Sequence, residues 1–239
     1  MPARKKTTKA PGQGMNAKQR KRRKPIDEAY MVPVEPLTHN QQIMFDEWDK
    51  GKMIYAYGVA GTGKTYVALY KALKDVLNEY TPFEKIYIVR SLVATREIGF
   101  LPGDHEDKSS LYQIPYKNMV QSMFEMPDDA SYEMLYDNLK AQETISFWST
   151  SFIRGTTLDN AIVIIDECQN LNFHELDSII TRVGQDSKII FCGDAAQTDL
   201  QKISERSGIL DFQRILQNMD EFSLVEFGVD DIVRSGLVK

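Results

Sequence analysis

Cysteine is scarce in this sequence, with Cys168 and Cys192 the two in 239 residues. Two thiols in a chain of this length make no disulfide framework. Each falls near the end of an apolar stretch, so both are expected as buried free thiols in a reducing compartment. Long apolar runs are also missing. No stretch reaches the roughly 20 residues that a bilayer span needs, so no membrane association is expected. The first residues carry charge with no apolar segment behind them, unlike a secretory signal. The expected location is therefore cytoplasmic. Acid is absent from residues 1–24, which hold ten of the 29 Lys and Arg residues. The rest of the chain sets 19 bases against 34 acids. A basic arm on an acidic body is expected to be disordered and to seek phosphate-rich partners. A plain solubility tail is the other reading. The overall composition, 42% hydrophobic and 26% charged, is that of one globular domain. The expected division is an arm over residues 1–25 and a domain over 26–239.

Hydrophobic periodicity supplies the element pattern. Pro33 and Pro36 make residues 31–37 an extended entry. Ile43, Met44 and Trp48 place a helix over 41–50, ended by Gly51. Strands are expected at 52–57, 85–90, 144–149, 161–165, 188–192 and 223–227. Helices are expected at 64–79, 111–124, 130–140, 173–183 and 205–218, with a long loop after residue 90 holding Gly99, Pro102 and Gly103. The run Ala161-Ile162-Val163-Ile164-Ile165 has no polar alternation, as in a strand buried on both faces. Strands alternating with helices predict an α/β fold with a mainly parallel sheet flanked by helices.

Gly58-Val59-Ala60-Gly61-Thr62-Gly63-Lys64-Thr65 matches the pattern G-x-x-x-x-G-K-[ST]. Glycines let consecutive backbone N–H groups turn toward a phosphate, at angles other residues avoid. The succeeding helix aims its positive end at the same group. Lys64 is the candidate for the β- and γ-phosphates of ATP, and Thr65 for Mg²⁺. The motif lies between a predicted strand and a predicted helix, as its chemistry requires. By itself it establishes nucleotide binding and no particular reaction.

Asp166 and Glu167 come directly after the buried run. Ligands of open α/β sheets sit at the carboxyl ends of strands, where the P-loop also lies. Asp166 is the second candidate for Mg²⁺, and Glu167 the base for an attacking water. The plainer alternative is a pair of acids opening a helix. After the next strand, Gly193-Asp194-Ala195-Ala196-Gln197 puts Gln197 at the same edge, where it would report on the γ-phosphate or the lytic water. An ordinary strand-to-helix turn is the alternative there.

Five segments taken together resemble the PhoH family of P-loop ATPases, which are related to the cores of superfamily 1 helicases. They are GVAGTGKT (58–65), EIGFLPGD (97–104), FIRGTTLDNAIVIIDECQN (152–170), GDAAQTDL (193–200) and DIVRSGLV (231–238), in the family's order. The resemblance covers about residues 37–239. Cys168 stands where the family usually has alanine, and residues 104–116 match more loosely. The resemblance implies a RecA-like P-loop NTPase core, bacterial or phage-encoded. It implies that Gln41 reads adenine, a role its neighbour Gln42 also fits. It implies that Arg234 is the basic residue near the γ-phosphate, with Arg90 and Arg154 as further candidates. Related helicases place ATP between two cores. One core here implies a second copy, joined head to tail as a homohexamer. The function expected is an Mg²⁺-dependent ATPase, possessing helicase-like coupling to single-stranded RNA or DNA. The alternatives are a slow nucleotide-dependent switch or scaffold, and a small-molecule kinase.

Overall fold

The computed structural model describes residues 26, 28–90, 105–153, 155–194 and 203–234. The basic arm, the segment 97–104, Arg154 and Gln197 lie outside the described residues.

Six strands form one parallel sheet: β1 (Met53–Gly58), β2 (Lys85–Arg90), β3 (Ile145–Ser149), β4 (Ala161–Asp166), β5 (Lys188–Gly193) and β6 (Phe222–Phe227). Their spatial order is β3-β2-β4-β5-β1-β6. The helices are α1 (His39–Asp49), α2 (Lys64–Leu77), α3 (His105–Ser122), α4 (Asp129–Ala141), α5 (Thr150–Ile153), α6 (Phe173–Ile180) and α7 (Ile203–Gln217). This is the mainly parallel, helix-flanked P-loop NTPase architecture that the sequence predicts. No helix among the described residues is long and apolar enough to cross a membrane.

The sheet is central because its inner strands are apolar on both faces. Every residue of β5 is buried, as are the first five of β4. Alternation along β4 then divides the core in two. Ile162 and Ile164 pack with Leu69, Leu73, Leu135 and Leu139, from α2 and α4. Val163 and Ile165 pack with Leu176, Ile179, Phe212 and Leu216, from α6 and α7. Leu69 and Leu73 are fully buried, and burying a leucine stabilises by about 2 kcal/mol. Val67, Leu69, Ala72, Leu73, Val76 and Leu77 form the buried side of α2. Cys168 and Cys192 are buried and free, as expected.

Several element boundaries differ from the sequence reading. Helix α3 begins at His105, six residues before the expected start, and carries Pro115 inside it. Its first turns are polar, so no apolar period announces them, yet Glu106 and Asp107 suit a helix N-terminus. Helix α2 stops at Leu77, because Asn78 is extended (ψ 121°). Helix α6 stops at Ile180, and Val183 bridges to Leu158 instead. The single turn α5 was not expected; four residues are too few for a period to show.

Candidate active site

The carboxyl ends of β1, β5 and β4 lie side by side, with β5 in the middle. Tyr57 is opposite Gly193 and Ile165 opposite Phe191, so the three strands end level. The ends of β1 and β4 are therefore about 10 Å apart, two strand spacings.

Gly58 turns the chain out of β1 at φ +117°. A Cβ there would lie 2.1 Å from the carbonyl oxygen of Phe227, on the neighbouring strand. Val59 N–H donates to that same carbonyl (3.0 Å). The loop is thus pinned to β6 at its first step, and glycine alone fits. Thr62 is buried, and its hydroxyl donates to the carbonyl of Val59 (3.1 Å). Gly63 starts α2 at φ +81° without a capping side chain. Between them, Gly61 offers its carbonyl to Val233 N–H (3.1 Å). Ala60 completes the turn within the loop.

Lys64 is folded into this loop and is 8% exposed. Its Nζ donates to the carbonyls of Gly58 (3.0 Å) and Val59 (2.6 Å) and to the hydroxyl of Thr62 (3.1 Å). Burial lowers its pKa from the ordinary lysine value, against the upward pull of Asp194 and Asp166.

Gln41 is buried against the loop, whereas Gln42 is exposed and bonded to Asp46 (2.8 Å). The Gln41 Nε2 donates to the Thr62 carbonyl (2.8 Å), and its Oε1 accepts from Leu37 N–H (2.8 Å). Of the two glutamines that the sequence left open, Gln41 is the one at the loop. One N–H and one lone pair of its amide remain beyond these bonds.

Asp166 ends β4 with both carboxylate oxygens engaged. Oδ1 accepts from the Thr65 hydroxyl (2.7 Å) and Oδ2 from the Tyr116 hydroxyl (2.6 Å). Burial, then the charge of Asp166, raises the pKa of Tyr116, so its hydroxyl stays protonated and donates. Thr65 and Asp166 together offer a hydroxyl and a carboxylate. This oxygen-only pair fits Mg²⁺, which takes few protein ligands and fills its shell with phosphate and water. No group of three or more His, Cys, Asp and Glu side chains among the described residues could hold a metal.

Glu167 adopts a left-handed backbone, φ 51°. For a non-glycine residue that costs about 1 kcal/mol or more. Its carboxylate pairs with Arg90 at the end of β2. Arg90 Nε donates to Oε2 (3.1 Å) and Nη2 to Oε1. The ring of Tyr112 lies 5.6 Å from the guanidinium. Desolvation pulls the Arg90 pKa down, but the Glu167 charge and its hydrogen bonds outweigh it and the net direction is upward. The turn after Glu167 closes against β5: Gln169 Oε1 accepts from Asp194 N–H (3.0 Å).

The C-terminal segment reaches the loop too. Asp231 accepts from Gly228 N–H (2.9 Å) and from the Asn40 amide (2.7 Å), tying it to the start of α1. Arg234 is exposed, one residue past the Val233–Gly61 bond.

The structure thus brings together Gln41, the loop 58–65, Asp166 and Glu167, with the main chain of Arg234 beside them. Tyr112, Tyr116 and Gln169 were not singled out from the sequence. Tyr112 and Tyr116 are four apart on one helix, the single local sign they carry. A separate cavity of about 360 Å³, lined by Trp48, Asp75, Phe83 and Lys188 among others, opens at the start of β1 and β5. It lies on the opposite edge of the sheet from the P-loop.

Residues 33–239 match the family model described as PhoH-like protein. The chain belongs to the PhoH-like family. It is 34% identical over 198 residues to a PhoH-like protein of Bacillus subtilis, covering 79% of this chain and 56% of that one. It is 32% identical over 206 residues to a PhoH-like protein of Mycobacterium leprae, covering 86% and 56%. Against Protein PhoH of Escherichia coli K12 it is 31% identical over 188 residues, covering 78% and 51%. The chain therefore spans little more than half the length of these relatives. Among solved structures it is similar to a Pif1 helicase from Candida albicans at 18% identity and a TM-score of 0.38, covering 81% of this chain and 40% of that one. It is also similar to a Bacteroides Pif1 helicase in complex with ADP-AlF3 and ssDNA, at 16% identity and a TM-score of 0.36, covering 82% and 42%.

Proposed function

We propose that this PhoH-like chain is a Mg²⁺-dependent ATP hydrolase coupled to single-stranded RNA or DNA. The observation that carries the reading is the 2.7 Å bond from Thr65 to Asp166. It joins the P-loop helix to the acidic strand, so phosphate binding and the acid pair share one site. The loop 58–65 takes the triphosphate. Lys64 exchanges its bonds to loop carbonyls for the β- and γ-phosphates. Thr65 and Asp166 hold Mg²⁺, which supplies neutralisation of the phosphate charge. Glu167 orients the attacking water and accepts its proton. Gln41 uses its remaining N–H and lone pair for the adenine edge, which offers an acceptor and a donor. Gln197 senses the γ-phosphate, and Arg234 steadies the charge that develops there. The bond from Val233 to Gly61 supports supply of Arg234 to the nucleotide of its own chain.

The basic arm supports attraction to a polynucleotide. The assembly proposed is a head-to-tail homohexamer, and the compartment cytoplasmic. Light scattering that finds monomer alone in the presence of ATP would remove the ring. A second reading, a slow nucleotide-dependent switch or scaffold, draws support from the Arg90–Glu167 pair, which occupies the proposed base.

The deciding experiment measures ATPase rate against a panel of RNA and DNA strands. Lys64→Ala is expected to weaken binding and abolish turnover. Glu167→Gln is expected to keep ATP bound and stop hydrolysis. Normal turnover in Glu167→Gln removes its role as base. A rate that no strand changes favours the switch.

A further inference from the structure

Arg90 holds both oxygens of the one carboxylate that the proposed chemistry needs free. A general base accepts a proton from water through a lone pair aimed at that water. In this structure Glu167 is turned to β2, where Nε and Nη2 of Arg90 engage one oxygen each. Three features keep it there. Arg90 stands opposite Asp166 across β2 and β4, so its side chain leaves the sheet beside the acid pair. The left-handed backbone of Glu167 turns the chain out of the strand at this residue. The Tyr112 ring backs the guanidinium, as rings do for arginine.

We infer that Arg90 is a latch on Glu167, opened when a phosphate of a bound polynucleotide draws the guanidinium away. A guanidinium binds a phosphate in the same two-pronged manner as a carboxylate, so one exchanges for the other without loss of pairing. Arg90 is then a positioning residue. Its charge sets the fraction of chains whose base is free, and polynucleotide binding at the end of β2 raises that fraction. The pair is part-exposed, with 26% of the Arg90 and 40% of the Glu167 side chain accessible. A pair of that exposure shifts an equilibrium roughly two- to five-fold. This inference rests on the proposed function, on Glu167 as the base and on coupling to a polynucleotide; an unaltered chain that no strand stimulates removes that coupling and not the Arg90–Glu167 pairing.

The test is steady-state ATPase of the full chain, with and without single-stranded RNA or DNA, for Arg90→Gln, Arg90→Lys and Glu167→Gln. Arg90→Gln is expected to raise basal kcat roughly two- to five-fold at unchanged KM, and to lose most of the stimulation by the strand. Arg90→Lys keeps the charge without the fork and is expected to fall between. Binding of a non-hydrolysable ATP analogue, equal to that of the unaltered chain, certifies that each variant is folded. A basal kcat at or below the unaltered value in folded Arg90→Gln overturns the latch; a fall would mean that Arg90 serves the ATP phosphates directly. Stimulation retained in full by Arg90→Gln overturns it as well. Turnover in Glu167→Gln instead removes the base assignment, which keeps the two failures apart.

Discussion

Removing one oxygen atom tests whether α3 fixes the geometry of the acidic pair. Tyr116→Phe deletes a hydroxyl that donates to Asp166 Oδ2 at 2.6 Å from a residue 2% exposed. Hydrogen bonds to charged groups contribute about 1.5–3 kcal/mol. The lower end applies, because Asp166 keeps its bond to Thr65 and is only partly buried. A loss of about 1.5 kcal/mol lowers Tm by about 3–6 °C in a chain of this size. Activity responds separately. Freeing one immobilised side chain costs about 0.5–1.5 kcal/mol, so kcat is expected to fall about two- to ten-fold, with a higher Mg²⁺ requirement. The pH dependence has a definite sign. Burial and Asp166 raise the pKa of Tyr116 in the folded chain. Below pH about 10 the hydroxyl is protonated folded and unfolded, so this group adds no slope to stability. Above that, the unfolded chain releases the proton first, and stability falls as pH rises. The Tm difference between the two chains should therefore be flat from pH 6 to about 9 and shrink beyond about 10. Thermal melts across pH and Mg²⁺-dependent kinetics measure all of this. A variant that melts within about 1 °C of the unaltered chain and needs no more Mg²⁺ would refute the view that Tyr116 sets the Asp166 rotamer.

Other substitutions probe the loop from different sides. Gly58→Ala puts a Cβ 2.1 Å from a main-chain oxygen at φ +117°; a loss above about 3 kcal/mol or no folded protein is expected, and a variant melting normally would deny the close approach of β1 and β6. Gln41→Ala strands the Leu37 N–H and the Thr62 carbonyl, so weaker ATP binding and about 1–3 kcal/mol of lost stability are expected. Gln42→Ala, on the solvent side, is expected within about 0.5 kcal/mol of the unaltered chain in stability; equal effects from the two in urea melts would undo the assignment. Arg234→Ala is expected to lower kcat with binding retained. Mixing it with Glu167→Gln locates the arginine, since activity restored in the mixture requires supply between copies and its absence favours supply within one chain.

The loop and the acid pair are legible from sequence because each is a local demand on contiguous residues. Glycines at fixed intervals followed by lysine and threonine admit few uses, and five buried residues ending in two acids mark a strand reaching a ligand edge. The strand order is different. Placing β5 between β1 and β4 depends on pairings such as Ile54 with Ile190, which are far apart in the chain and identical in character to other apolar pairs. Nor did periodicity find the start of α3, whose first turns are polar.

What the sequence hides most completely is how α3 meets the acid pair. Tyr112 and Tyr116 are one helical turn apart, and Cβ atoms so spaced are about 5–6 Å from each other. Asp166 and Glu167 are consecutive, with Cα atoms about 3.8 Å apart, and the left-handed turn at Glu167 sends the two carboxylates in different directions. One phenol reaches Asp166 directly. The other reaches Glu167 through Arg90. Two side chains on one helix face therefore bear on two adjacent acids with opposite proposed duties, one fixed toward metal and the other withheld from water. A displacement of α3 along or about its axis changes both contacts together. Under those proposed duties α3 bears on both binding and turnover, and neither phenol in isolation carries any mark of it.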